Sequence, residues 1–300
     1  MLPALNIRCC KNMFPTCIFQ KSINMEKLMK KLIITLLIAV TVLALTAVFI
    51  LVIHQPSATI RVMSYNLLAD NGEGGYDWGT PLWDRADNAI KCIKKLAPDV
   101  IGMQEVTLNW YAELREKLKD YETVNSTDPE NGSTDEICTA LMYNTKVLTL
   151  EETELIHYKA SYWGIGRVRY INMALFKHNE SGVRFIMIST HFDAGQEEGF
   201  EECRLSQANE LAEKINEYHE KYNCPIISVG DYNCGTKEEP YKNLLSAASL
   251  YDANSKCQPE TIDHILCTED VETLKFKTVN YDYIKTASDH LPIYADLKVK

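Results

Sequence analysis

Apolar residues fall into three kinds of run along this chain, and each kind predicts a different element. The first is a block: from Leu32 to Ile53 no residue is charged and nearly every side chain is aliphatic. Its 22 residues, at ~1.5 Å each, cover ~33 Å, enough to cross about 30 Å of hydrocarbon. A buried soluble helix is the plain alternative, but such helices rarely stay apolar on all faces for six turns. The second kind repeats at helical spacing. Leu82–Leu96 carries Ala86, Ala89, Ile90 and Ile93 on one stripe, Thr107–Leu118 reads as a short helix, and Gly199–His219 is the longest amphipathic segment. The third kind is short and rich in β-branched residues. It predicts strands at Thr59–Asn66, Val100–Met103, Ile137–Tyr143, Lys146–Glu152, Tyr170–Lys177, Val183–Thr190, Pro225–Val229, Thr261–Cys267, Leu274–Val279 and Ile293–Val299, with a hairpin turn at Asn179-Glu180-Ser181-Gly182. No linker or repeat divides residues 57–300, which read as one domain. Hairpins mixed with helical crossovers predict an α/β sandwich and not a strictly alternating parallel sheet.

Charge orients the apolar block. Residues 1–31 form a basic flank, with Arg8, Lys11, Lys21, Lys27, Lys30 and Lys31 against one acid, Glu26; the next base after the block is Arg61. The positive-inside rule then puts the N-terminus in the cytoplasm and residues beyond Ile53 outside, with 32–53 as a transmembrane helix or signal anchor. A cleaved signal peptide is the competing reading and would leave the domain secreted, although signal cores usually run about 7–15 residues. Residues 1–24 read as neither domain nor helix, and Met25 is a candidate start because a basic flank and an apolar run follow it. The 31 bases less six, and 41 acids less one, leave a net −15 on the remainder. An acidic body repels polyanions, which argues against a tightly bound duplex nuclease. Seven of the ten cysteines follow the block and none forms Cys-x-x-Cys, which argues against a structural zinc site.

Candidate chemistry lies at the ends of the apolar runs. Asn66, Glu105 and His191 each end one; Asp231 and Asn233 follow Ile226–Gly230; Asp263 stands in Thr261–Leu266; Asp289 and His290 precede the last strand. Taken singly, each has a bland explanation: a loop cap for Asn66, a helix-capping carboxylate for Glu105, turns at 230–233 and 288–290, a satisfied core histidine for His191. Six coincidences at comparable places are a poor account, and polar strand ends gathered on one rim are where sites form. Oxygen donors suit Mg²⁺, and Glu105, Asn66 and Asp289 could supply them, with Mn²⁺ a possible substitute. Asp231 could orient or deprotonate an attacking water. His191, His290 and the Asn233 amide could face phosphate oxygens, with Asp263 orienting His290.

These segments resemble the endonuclease/exonuclease/phosphatase family over about residues 60–298. The matching pieces are Met63-Ser64-Tyr65-Asn66, Ile101-Gly102-Met103-Gln104-Glu105, Ser189-Thr190-His191-Phe192-Asp193, Gly230-Asp231-Tyr232-Asn233, Ile262-Asp263-His264-Ile265 and Ser288-Asp289-His290-Leu291-Pro292. The resemblance implies a four-layered α/β/β/α sandwich, two mixed β-sheets packed face to face. It implies Glu105 as principal metal ligand with Asn66 beside it, Asp289 contributing to a metal site, and Asp231 and Asn233 handling water and phosphate. It also implies that His191 stabilises the phosphate and that Asp263 orients His290. Arg169 and Arg204 look like a small bacterial and deadenylase-like branch. Tyrosine in Gly-Asp-Tyr-Asn stands where phenylalanine is commoner, and His264 stands where the family usually has an aromatic, leaving open which way His264 faces.

Substrate choice points to Ala69–Pro81 and to Tyr158–Tyr170, where Tyr162, Trp163, Arg167 and Arg169 could stack a base and hold phosphates. The plain alternative makes Trp163 a strand-edge core residue and the arginines solvated. A membrane tether through Leu32–Ile53 and an acidic body favour a small or lipid-linked phosphoester over duplex DNA. The rivals are a membrane-anchored extracytoplasmic nuclease acting on RNA or DNA and a catalytically inactive binding module of the same fold. No protein partner is evident.

Overall fold

The computed structural model describes residues 16–53, 56–70, 82–124, 138–162 and 169–300. The chain separates into two compact units, Met1–Gln55 and Pro56–Lys300. In the first, helix α1 runs from Thr16 to Ile53. It starts well before the predicted span and takes in residues 16–24, where the sequence predicts neither a domain nor a helix. No glycine or proline interrupts Thr16–Ile53, so the helix propagates through the polar flank, where Glu26 and Lys30 pair at 2.8 Å one turn apart. Met25–Thr46 is long and apolar enough to cross a membrane by length and composition, and none of it is buried within the structure. Thr35, Thr41 and Thr46 return their hydroxyls to carbonyls one turn back, so these polar groups are satisfied without water.

The second unit holds two six-stranded mixed sheets. Its elements run β1 (Ala58–Asn66), α2 (Leu82–Leu96), β2 (Val100–Val106), α3 (Leu108–Lys117), β3 (Tyr121–Thr123), β4 (Cys138–Asn144), β5 (Leu148–His157), β6 (Tyr170–His178), β7 (Arg184–His191), α4 (Phe200–Tyr222), β8 (Ile226–Asp231), α5 (Glu239–Ala247), β9 (Leu250–Asp252), β10 (Asp263–Thr268), β11 (Val271–Thr278), a 3₁₀ turn (Asp282–Thr286) and β12 (Ile293–Val299). The first sheet has the order β11-β12-β1-β2-β4-β3 and the second β5-β6-β7-β8-β10-β9. Each contains one parallel pair made by a βαβ crossover: β1-α2-β2 and β7-α4-β8.

The inner faces of the two sheets share one apolar core, in which Ile60, Val62 and Val100 of the first meet Phe176, Met187 and Val229 of the second. Helices α2 and α3 cover the outer face of the first sheet, and α4 and α5 that of the second. At Gly102 the two sheets approach closely: a Cβ there would collide with Val229 and press on Ser189. Gly230 is constrained within its own sheet, where a Cβ would strike the Thr190 carbonyl of the neighbouring strand. Strand β5 runs five residues beyond its predicted end at Glu152, and β3, α5 and β9 have no counterpart among the predicted elements. The six cysteines from Cys92 onward whose side chains are described are all free thiols.

Candidate functional site

Parallel pairing brings the four central strand ends to one rim, because both crossovers return the chain in the same direction. Asn66 closes β1, Glu105 lies at the end of β2, His191 closes β7 and Asp231 closes β8. His191 and Asp231 are direct register partners, and Asp231 pairs on its other side with Asp263 at the start of antiparallel β10. Asp289 and His290 arrive from the loop before β12, whose strand runs antiparallel beside β1.

Glu105 adopts φ 62°, a left-handed conformation uncommon for a residue of its shape, at an irregularity in the β2–β4 pairing between Met103 and Val106. Such bulges re-aim a side chain. Its Oε1 accepts from Asn66 Nδ2 at 3.1 Å and its Oε2 from the Ala69 amide at 2.9 Å. Asn66 also donates from Nδ2 to Asp231 Oδ2 at 3.1 Å, while its Oδ1 accepts from the Leu68 amide at 3.0 Å. Asn66 therefore stands beside Glu105 with its nitrogen, not its oxygen, facing the carboxylates.

Asp231 is 2% exposed and forms the hub. Its Oδ1 accepts from the Asn233 amide at 3.0 Å; its Oδ2 lies 3.4 Å from His191 Nε2 and 3.6 Å from His290 Nε2. Burial and the neighbouring Asp263 raise its pKa to about 7, against the pull of His290, Asn233 and Asn66. Asn233 sits at φ 48° and donates from Nδ2 to the Phe192 carbonyl at 3.0 Å. His290 Nδ1 lies 2.7 Å from Asp263 Oδ2. Burial lowers the His290 pKa, but Asp263, with Asp231 and Asp289, outweighs it and lifts the value to about 10. His191 moves the other way, well below the ordinary histidine value, through burial and then the charges of Arg169 and His290. Asp289 is exposed, and Ser288 anchors its loop by donating to the Asn66 carbonyl at 2.7 Å.

The remaining predicted residues divide. Arg169 is buried and points inward, donating from Nε to Asp193 and lying with Nη1 2.8 Å from His191 Nδ1. Trp163 and Arg167 lie outside the described residues. His264 faces away from the rim, with Nδ1 2.7 Å from Asp252 and Nε2 3.4 Å from the Cys234 carbonyl. Arg85 escaped the sequence reading. Buried on α2, it donates to the carbonyls of Leu67, Leu68 and Ala287 and so ties the loop after β1 to the segment leading into Asp289. The signal was there: an arginine interrupting the apolar stripe of Leu82, Ala86 and Ala89.

Oxygen donors fit a hard divalent cation, and Glu105, Asp231, Asp263 and Asp289 bring a surplus of negative charge to this rim. Burial raises the Asp231 pKa most, and the charge of Asp263 adds to it. Ligand atoms of Asp231, Asp263 and His290 all lie within 4.8 Å of one another. A second cluster, Asp252, Cys257 and His264, fits Mg²⁺ poorly: it offers a soft thiol, and Asp252 already accepts from the Asn254 amide and Tyr241 besides meeting His264.

The sequence profile described as "Endonuclease/Exonuclease/phosphatase family" matches residues 63–290. The chain belongs to the endonuclease/exonuclease/phosphatase family. Among solved structures it is similar to an endonuclease/exonuclease/phosphatase from Bacteroides vulgatus, at 23% identity and TM-score 0.70, covering 81% of this chain and 100% of that one. A mannosyl-6-phosphatase from Bacteroides thetaiotaomicron matches at 21% identity and TM-score 0.68, over 79% and 99% of the two chains. The human Nocturnin catalytic domain with bound sulfate matches at 21% and 0.66, over 81% and 95%. No curated protein matches the chain. Family membership and the oxygen-rich rim together give metal-dependent phosphoester hydrolysis, with Mg²⁺ or Mn²⁺ as the cofactor.

Proposed function

We propose that this enzyme hydrolyses a phosphodiester or phosphomonoester by in-line attack of a water oriented by Asp231. The observation that carries the proposal is the position of Asp231 Oδ2, within 3.6 Å of Asn66, His191 and His290. Asp231 accepts the proton of the water at Oδ2, while the Asn233 amide holds Oδ1 and fixes the carboxylate plane. His191 and His290 present Nε2–H groups toward the phosphate, and Asp263 keeps His290 charged and oriented. Glu105 and Asp289 would hold the divalent ion, with Asn66 orienting Glu105 through its amide nitrogen. When bound there, the ion supplies positive charge to the phosphate oxygens.

A small or lipid-linked phosphoester is the proposed substrate class. Beside Asn233 opens a cleft of about 750 Å³ whose lining includes Glu197, Glu198, Glu201, Glu202, Glu238 and Glu260 against Arg204. Such a wall repels polyanions and tolerates a neutral, hydroxyl-rich or cationic leaving group. A mannosyl-6-phosphatase shares the fold, which is compatible with that reading.

For the chain as a whole we propose a basic flank at 1–31, a membrane span at 32–53 and a catalytic domain at 57–300. The N-terminus would face the cytoplasm and the enzyme the outside, with secretion if the span is cleaved. The lipid-compatible surface of Met25–Thr46 supports the span. Two experiments test these readings. The full chain in detergent, given Mg²⁺ or Mn²⁺, is assayed on a bis-aryl phosphate, an aryl phosphate, single-stranded RNA and supercoiled plasmid. Turnover of an aryl ester with intact plasmid is expected; rapid plasmid degradation at physiological salt would overturn the substrate class. Protease added to sealed cells is expected to reach residues beyond 57, and full protection would reverse the topology.

A further inference from the structure

We propose that Arg169 is a positioning residue that fixes His191 in the tautomer with its proton on Nε2, with Asp193 holding the guanidinium in place. The inference deepens the reading of His191 as a phosphate-facing donor and rests on it. An arginine side chain carries five N–H donors and no acceptor, and stays protonated in proteins. A ring nitrogen 2.8 Å from Arg169 Nη1 therefore has to be the acceptor. His191 Nδ1 carries no proton, and the neutral ring carries its single proton on Nε2. That nitrogen faces Asp231 Oδ2 at 3.4 Å, the edge on which the chemistry is proposed to occur.

The guanidinium is not free to turn toward a substrate. Arg169 is 7% exposed and donates from Nε to Asp193 Oδ1 at 3.1 Å. Asp193 is fully buried, and its Oδ2 accepts from the Tyr162 amide at 2.7 Å and from Cys203 Sγ at 3.3 Å. Its backbone amide donates to Gln207 Oε1 at 3.0 Å, which ties the Asp193 backbone to α4, as the Cys203 contact ties its carboxylate. Asp193 balances the buried positive charge and sets its direction. The two histidines around Asp231 consequently receive opposite instructions. His290 meets a carboxylate at Nδ1, so that nitrogen carries a proton; His191 meets a guanidinium, so that nitrogen does not. A neutral His191 can donate one hydrogen bond from Nε2 without offering a second base for the proton that Asp231 takes.

The test separates this role from direct substrate binding. The full chain is labelled with ¹⁵N-histidine, and long-range ¹H–¹⁵N spectra are recorded for the wild type, Arg169→Met and Arg169→Lys; His191→Gln assigns the resonance. The wild type is expected to show a bare Nδ1 and a protonated Nε2. Arg169→Met is expected to give a tautomer mixture and to lower kcat about 10- to 100-fold, as losing an orienting partner does, with KM little changed. Arg169→Lys, which keeps a cationic donor, is expected to restore most of both signals; it also serves if the methionine variant melts early. A protonated Nδ1 in the wild type overturns the proposal, as does an unchanged tautomer in the variants with a rise confined to KM. The spectra need no substrate, so they remain decisive even if the phosphoesterase reading fails.

Discussion

The two βαβ crossovers, β1-α2-β2 and β7-α4-β8, are built alike and deliver different chemistry. Each ends two parallel strands at the same rim. The first ends in Asn66 and in Glu105, which is partly exposed, sits at φ 62° and lies at an irregularity in the β2–β4 pairing. The second ends in His191 and Asp231, both 2% exposed and in direct register. One half therefore presents an accessible oxygen ligand, and the other a buried group whose protonation is governed by its neighbours. The difference teaches that burial sorts the roles. A partly exposed carboxylate can exchange solvent for a cation, whereas a buried one must be matched by fixed donors or take up a proton.

The sharpest way to break this division is at the hub of the second half. Asp231→Asn keeps the size but removes the base, and kcat is expected to fall about 10²- to 10⁴-fold with little change in the Mg²⁺ needed for half-maximal rate. Glu105→Ala should do the reverse: a Mg²⁺ titration is expected to shift by about 10- to 100-fold. If both variants moved the same parameter, the halves would not be specialised.

Smaller effects probe the scaffold that holds the halves together. Gly102→Ala drives a methyl into Val229 across the sheet interface and is expected to cost about 1–3 kcal/mol in a denaturant melt. An unaltered midpoint would mean that the sheets are less tightly apposed than described. The smallest expected effect lies behind the second half, at His264. Burial lowers its pKa, but Asp252 and Cys257 outweigh it and raise the value to about 9 from 6.5. A folded-state value above the unfolded one means that the pair's stabilisation is complete below pH 6.5 and is lost as pH rises through about 9. The melting temperature of the wild type should fall relative to that of His264→Gln over that window, and a constant difference would contradict the pairing.

Much of this site was legible because each central strand is a mostly apolar run that ends in an acid, amide or imidazole side chain. Asn66, Glu105, His191 and Asp231 stand out for that reason, and the two crossovers bring their strand ends to one rim. What could not be read is direction. Nothing local to Arg169 says that it turns away from solvent toward His191, because Asp193 lies 24 residues further along. The side of the Asn66 amide that faces Glu105 is likewise set by the Leu68 backbone and not by residue type. Arg85 was visible as a charge on an apolar stripe, yet its carbonyl partners come from segments as far away as Ala287. The strands at Tyr121–Thr123 and Leu250–Asp252 have three residues each, too few for an alternating pattern.

The central claim is direct attack by a water held on Asp231. It is tested by hydrolysing an aryl phosphorothioate diester of known configuration in ¹⁸O-water, using the full chain with Mg²⁺. A single in-line displacement predicts inversion at phosphorus with one labelled oxygen in the product. Retention of configuration would mean two displacements through a covalent phospho-enzyme, and Asp231 could not then hold the role given to it.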